Sequence, residues 1–128
     1  MPFNTQQKHI IISTSTDIDV YTSGNPSILL DETRSLLNGG WIEIVQLDHL
    51  LIDTNVLDEA VVVVDEDGLN KGLSINHIAM FLTGQYIVGN VILTKDVAGE
   101  LVGFNPEECE QVEEYLKGVI PSIKQMIQ

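Results

Sequence analysis

The chain of 128 residues carries 19 acidic against 6 basic side chains, a formal net charge of −13, with one cysteine and an apolar fraction of 44%. A chain of this length builds one core of ordinary size, and its composition is globular, which excludes wholesale disorder. A single cysteine excludes a disulfide framework and a cysteine-based zinc site, and the longest apolar run, Ala60–Val64, falls far short of the ~20 residues that span a bilayer.

Residues 1–7 are polar and peripheral, and they lack the basic-then-apolar layout of a signal peptide, so a cytoplasmic protein is expected. From Lys8 to Tyr21, two β-like runs, His9–Ile12 and Ile18–Tyr21, flank a Ser/Thr/Asp turn and suggest a hairpin or two edge segments. Asn25-Pro26 opens a helix whose apolar side is Leu29, Leu30, Leu36 and Leu37, and Asn38-Gly39-Gly40 ends it. Trp41–Leu47 reads as a strand with Trp41 as its packing anchor. Residues 48–58 fit either a loop or a short strand, and Ala60–Val64 reads as a strand buried on both faces.

Asp65-Glu66-Asp67-Gly68 is an acidic turn, which the chain leaves through Gly72 into Ser74, a helix cap for Ile75–Leu82. Gly84 stops that helix. Tyr86–Thr94 is the third strand, and Gly89 inside it implies a bulge or close approach of another backbone. A turn at Asp96–Gly99 and a short strand Glu100–Phe104 follow. Asn105-Pro106-Glu107-Glu108 opens a last helix with Cys109, Val112, Leu116 and Val119 on its apolar face; Pro121 is expected to break it, leaving 121–128 peripheral. No repeat or linker divides the chain. The pattern predicts an α+β single domain over 1–128, a curled, mainly antiparallel sheet with three short helices packed against it. Ile44, Val62, Val64, Val88 and Ile92 are expected in its core.

A sequence pI near 4.2 repels phosphate backbones and anionic membranes, so neither nucleic acid nor membrane is an expected partner. The basic residues, Lys8, Arg34, Lys71, Lys95, Lys117 and Lys124, form no cluster. A host protein with a basic surface suits this field, and self-association is the other partner class carried, although solubility alone also accounts for the charge. Self-repulsion among the carboxylates predicts that added salt and mild acidification both stabilise the fold.

Signatures of chemistry are few. Anchoring a calcium loop on Gly68 puts Val63 at position one and Ser74 at position twelve, neither of which fits, so a solvated acidic turn is the better reading. His9, His49 and His77 form no metal-binding spacing, and Cys109 lies between Glu108 and Glu110, which raise a thiol's pKa. No phosphate cradle or nucleophile elbow occurs, so no catalytic residue, metal or cofactor is assigned. Asn76 stands out as a polar residue on the first turn of a short helix, where it either bonds a neighbouring loop or reads a ligand. Glu43, alternating with Ile42 and Ile44, is placed on the wetter face of its strand. The candidate ligand-binding residues are therefore Asn76, Glu43, Asp65 and Asp67.

Four blocks keep a family's order and spacing: Leu37-Asn38-Gly39-Gly40-Trp41-Ile42-Glu43-Ile44-Val45, Val61–Gly68, Gly72-Leu73-Ser74-Ile75-Asn76 and Ile87-Val88-Gly89-Asn90-Val91. Over roughly residues 20–118 they resemble domain-of-unknown-function family 3846, found in phages, plasmids and bacterial genomes. The closing acidic helix from Pro106 to Gly118 is similar too. Ser74 stands where that family's pattern has proline, and either residue opens a helix. The resemblance implies this fold and a mobile-element context, but no activity and no functional residues. Three functions are weighed: a non-catalytic accessory protein acting by protein–protein contact, a binder of a small nucleotide-like ligand, and, least favoured, an enzyme without a recognisable motif.

Overall fold

The computed structural model describes residues 7–24, 28, 30–37, 40–50, 52 and 54–127. Strands β1 (Gln7–Ile12) and β2 (Ile18–Ser23) form a hairpin, the first of the two arrangements considered for this segment, paired from Gln7↔Ser23 to Ile12↔Ile18. Helix α1 (Leu30–Leu36) leads to β3 (Ile42–Gln46) and, after a 3₁₀ turn at Asn55–Leu57, to β4 (Ala60–Asp65). Helix α2 (His77–Thr83), β5 (Val91–Val97), β6 (Glu100–Leu101) and α3 (Pro106–Met126) complete the chain. The α+β architecture is as expected: an open antiparallel sheet of order β2-β1-β5-β4-β3, with β6 paired to the far end of β5.

Alternation sorts the sheet into two faces. Ile10, Ile12, Val45, Leu47, Val62, Val64, Val91 and Leu93 point to the main core, closed by Ile78, Ala79 and Leu82 of α2 and Cys109, Val112, Leu116 and Ile123 of α3. The other face holds a smaller cluster, Leu37, Val63 and Ile92, beside α1. Every residue of β4 is buried, so the valine run is covered on both faces as its composition implied. The opening of α1 at Asn25-Pro26 lies outside the described residues; Leu30, expected on its apolar side, is exposed, and Thr33 is buried instead.

Local rules failed where tertiary partners intervened. Ile44 is 42% exposed while Val45 is buried, because the main core takes the Val45 face of β3 and Ile44, on the other face, lines an open groove with Leu30 and Thr33. Trp41 is 63% exposed and precedes β3, so it is no packing anchor. The third strand begins at Val91, not Tyr86. Gly89, at φ 81°, breaks the extended backbone, and Val88 makes only an isolated bridge to Ile75. That bridge holds Ile75 extended, so α2 starts two residues later and is capped by Asn76 in place of Ser74. Gly84, at φ 69°, ends α2 as expected.

Asn105 and Glu108 form a reciprocal capping box with Pro106 in the first turn, so α3 opens as the sequence implied. It does not break at Pro121 but runs to Met126. An internal proline forfeits one backbone hydrogen bond, and the burial of Ile123 beyond it offsets that loss.

Candidate functional site

Antiparallel register carries the motif blocks to one end of the sheet. Ile42 pairs with Asp65 and Glu43 with Val64, while Ile12 pairs with Val91 across β1 and β5. The turns leaving β1 and β4, the start of β3 and the entry to β5 therefore share that end.

Asp65 is the charged centre of this region. Its side chain is 2% exposed; Oδ2 lies 2.6 Å from the Lys71 ammonium, and Oδ1 accepts from the Asp67 backbone N–H at 2.9 Å. Burial alone raises such a carboxyl, but the Lys71 hydrogen bond, the Asp67 amide and the Lys71 charge outweigh it, so the group sits below the usual carboxylate range. The solvated-turn reading holds for Glu66 and Asp67, which are exposed, and is corrected for Asp65. Gly40 packs on this pair: a Cβ there would stand 2.7 Å from Lys71 Nζ. Arg34 of α1 donates from Nε to the Gly40 carbonyl at 3.1 Å and places its guanidinium over the Trp41 ring, 5.2 Å from the centroid.

Asn76 is fully buried. Its Nδ2 donates to the carbonyls of Ile12 (3.0 Å) and Gly89 (2.9 Å), and its Oδ1 accepts from the Ala79 N–H (3.0 Å). Both amide hydrogens and the cap acceptor are thus engaged inside the fold, so the loop-bonding reading applies and no polar group faces a ligand. Around it, Gly89 N–H donates to the Ser74 carbonyl at 2.7 Å, and Leu73 covers Gly89 so closely that a Cβ would meet its Cδ1 at 2.7 Å. This is the close approach that a glycine in that segment implied. Glu43 is exposed, yet its register with Val64 puts it on the main-core side of β3, not on a wetter opposite face.

The structure therefore gathers Glu43, Asp65, Asp67 and Asn76 at one end of the sheet without building one pocket from them. Three concavities occur among the described residues. One, of about 280 Å³, runs between α1 and β6 over Ile42 and Ile44. Two others, of about 740 and 350 Å³, adjoin at His77 and Ile127; the larger runs beside the Thr14–Thr16 turn and the smaller between α2 and the end of α3. None of the three is lined by the four candidates.

A further polar cluster escaped the sequence reading. His9 is fully buried on the α1 side of β1, with Nδ1 2.6 Å from the Thr94 hydroxyl and Nε2 without a hydrogen-bond partner among the described residues. Burial lowers its pKa to about 4, against a smaller upward pull from Glu32. Tyr21 and Ser23 of β2 both donate to the Glu32 carboxylate of α1, and that hydrogen bond raises the Tyr21 hydroxyl. The signal was present: His9 is out of phase with Ile10 and Ile12, so a strand packed on both faces turns it towards α1. Cys109 is buried as expected, with burial first and Glu113, one turn on, second among the causes that push its thiol up to about 11.

No curated protein and no solved structure matches the chain. The family described as Domain of unknown function (DUF3846) matches residues 8–117 of the 128-residue chain, taking in the β1–β2 hairpin, both faces of the sheet and most of α3, and the chain belongs to that family.

Proposed function

We propose that this protein is a small, acidic, non-catalytic accessory protein of mobile-element type that acts by contact with a basic surface on another protein. The observation that carries this reading is the uncovered side of β3 and α1. There Trp41, Leu30 and Ile44 are 63%, 50% and 42% exposed, around the shallow groove over Ile42. Large apolar groups gathered at a bare sheet edge are costly, and such patches mark contact sites. Exposed acids, Asp31, Glu66 and Glu100, lie on the neighbouring elements and turns, so a partner with apolar anchors and a basic rim complements it.

The test is capture from a host lysate by the tagged full chain at low and high salt, beside an Ile44→Asp variant. The reading expects a partner that high salt releases and that the variant fails to hold. Equal capture by both proteins, or no salt-sensitive partner, would overturn it. Trp41 is the sole tryptophan, so its emission with the purified partner reports directly whether this surface is covered.

A further inference from the structure

We infer that the cleft between the Thr14–Thr16 turn and α2 binds a small, uncharged ligand with a flat aromatic body and a hydroxyl-bearing end, the chemistry of a nucleoside without its phosphates. Two adjoining concavities, about 740 and 350 Å³, share His77 and Ile127 and so make one cleft with two unlike halves. Both volumes fall within the range of ~300–1,000 Å³ usual for ligand sites.

The narrower half is apolar, formed by Met80 and Phe81 of α2 and by Ile123 and Met126 at the end of α3. A phenyl ring beside two thioethers suits a flat heterocycle, because sulfur and ring faces adapt to an aromatic partner. The broader half is mixed, with Leu73, Ile75 and Ile127 sharing its lining with polar side chains. The hydroxyls of Thr14 and Ser74 and the ring of His77 line it and make no hydrogen bond among the described residues, whereas their neighbours Ser13, Ser15 and Thr16 are bonded within the turn. Hydroxyls and an imidazole can donate or accept, which suits the vicinal hydroxyls of a sugar.

Charge selects the ligand further. Among the described residues neither half is lined by an acidic side chain, in a chain with 19 of them, and neither is lined by Lys or Arg. A phosphate would find no cation there and would enter the field of a −13 chain; a cation would find no carboxylate. A neutral ligand is left. The wall that carries Ser74 and His77 is rigid, since Asn76 ties it to Ile12 and Gly89 and Ile75 bridges Val88, so the polar groups are held in place before a ligand arrives. This cleft lies on the α2–α3 side of the sheet, opposite the α1 surface of the proposed partner contact, and does not depend on that reading.

The experiment titrates the full chain with adenosine, guanosine, cytidine and uridine, and with adenosine 5′-monophosphate, following melting temperature and backbone amide resonances. At least one nucleoside should raise the melting temperature saturably, and the largest resonance shifts should fall on His77, Phe81 and Ile127. Adenosine 5′-monophosphate should bind more weakly than adenosine. Ser74→Ala and His77→Ala, both at the surface of the cleft, should each weaken binding by about tenfold, the loss of one hydrogen bond, without lowering the melting temperature of the free protein. No shift with any nucleoside at millimolar concentration overturns the inference. So does monophosphate binding as tight as the nucleoside's, or resonance shifts lying outside the cleft.

Discussion

Replacing His9 by Gln should remove a specific part of the protein's acid sensitivity. The imidazole is fully buried, with Nε2 unpartnered among the described residues, and burial lowers its pKa from an ordinary 6.5 to about 4. The folded state therefore holds it neutral, while the unfolded chain protonates it at its ordinary value. Between about pH 6.5 and pH 4 the unfolded state binds more protons at this site, so stability rises with pH across that window and is lost as pH falls. A pKa displaced that far corresponds to about 3 kcal/mol once pH is below 4, of which about 2 kcal/mol is already lost at pH 5. Carboxylate self-repulsion acts the other way over the same range, favouring the fold as acids are neutralised. It is common to wild type and variant, so it cancels in their difference. Urea unfolding at constant ionic strength, at pH 7, 6 and 5, measures both stabilities without adding charge. Relative to His9→Gln, wild type should lose about 2 kcal/mol on going to pH 5. The His9 ring resonances of the folded protein should stay in their neutral position over that range. Parallel losses in the two proteins, or a ring that titrates near 6.5, would refute the reasoning.

Trp41→Ala should cost less than about 1 kcal/mol in thermal unfolding, the worth of an exposed cation–π contact with Arg34, against the ~3–5 kcal/mol that a buried indole would forfeit. Asn76→Ala should be severe, roughly 2–4 kcal/mol, because it removes the α2 cap and leaves the carbonyls of Ile12 and Gly89 unpaired in the interior; a calorimetric melt within a degree of wild type would contradict this. Pro121→Ala should stabilise by ~1–3 kcal/mol, since residue 121 is exposed and regains an amide for the Lys117 carbonyl; destabilisation in urea would mean that the proline ring is needed there.

What the sequence determined by itself was whatever short-range chemistry controls. The Asn105–Glu108 box and Pro106 start α3 because cap and amide are three residues apart, and Gly84 ends α2 because it tolerates φ 69° at no steric cost. The valine run of β4 needed burial on both faces wherever it was placed, while the turn after β1 left a hairpin and two edge segments both open. The sequence singled out Glu43, Asp65 and Asn76, but their gathering at one end of the sheet followed only from strand order and register. Tertiary structure decided coverage and partnership. Ile44 and Val45 have equivalent alternation, and only the packing of α2 and α3 on one face of the sheet buries the second and leaves the first bare. Ser74 and Asn76 both cap helices well; the Ile75–Val88 bridge, 13 residues apart in sequence, chose Asn76 and turned a candidate ligand residue into an internal brace. Pro121 stays helical because Ile123 reaches the core, and His9 is held neutral because Gly103, from the segment after β6, packs on the imidazole of a strand that propensity describes only as apolar. Each of these outcomes depends on contacts between segments far apart in the chain, where local propensity carries no information.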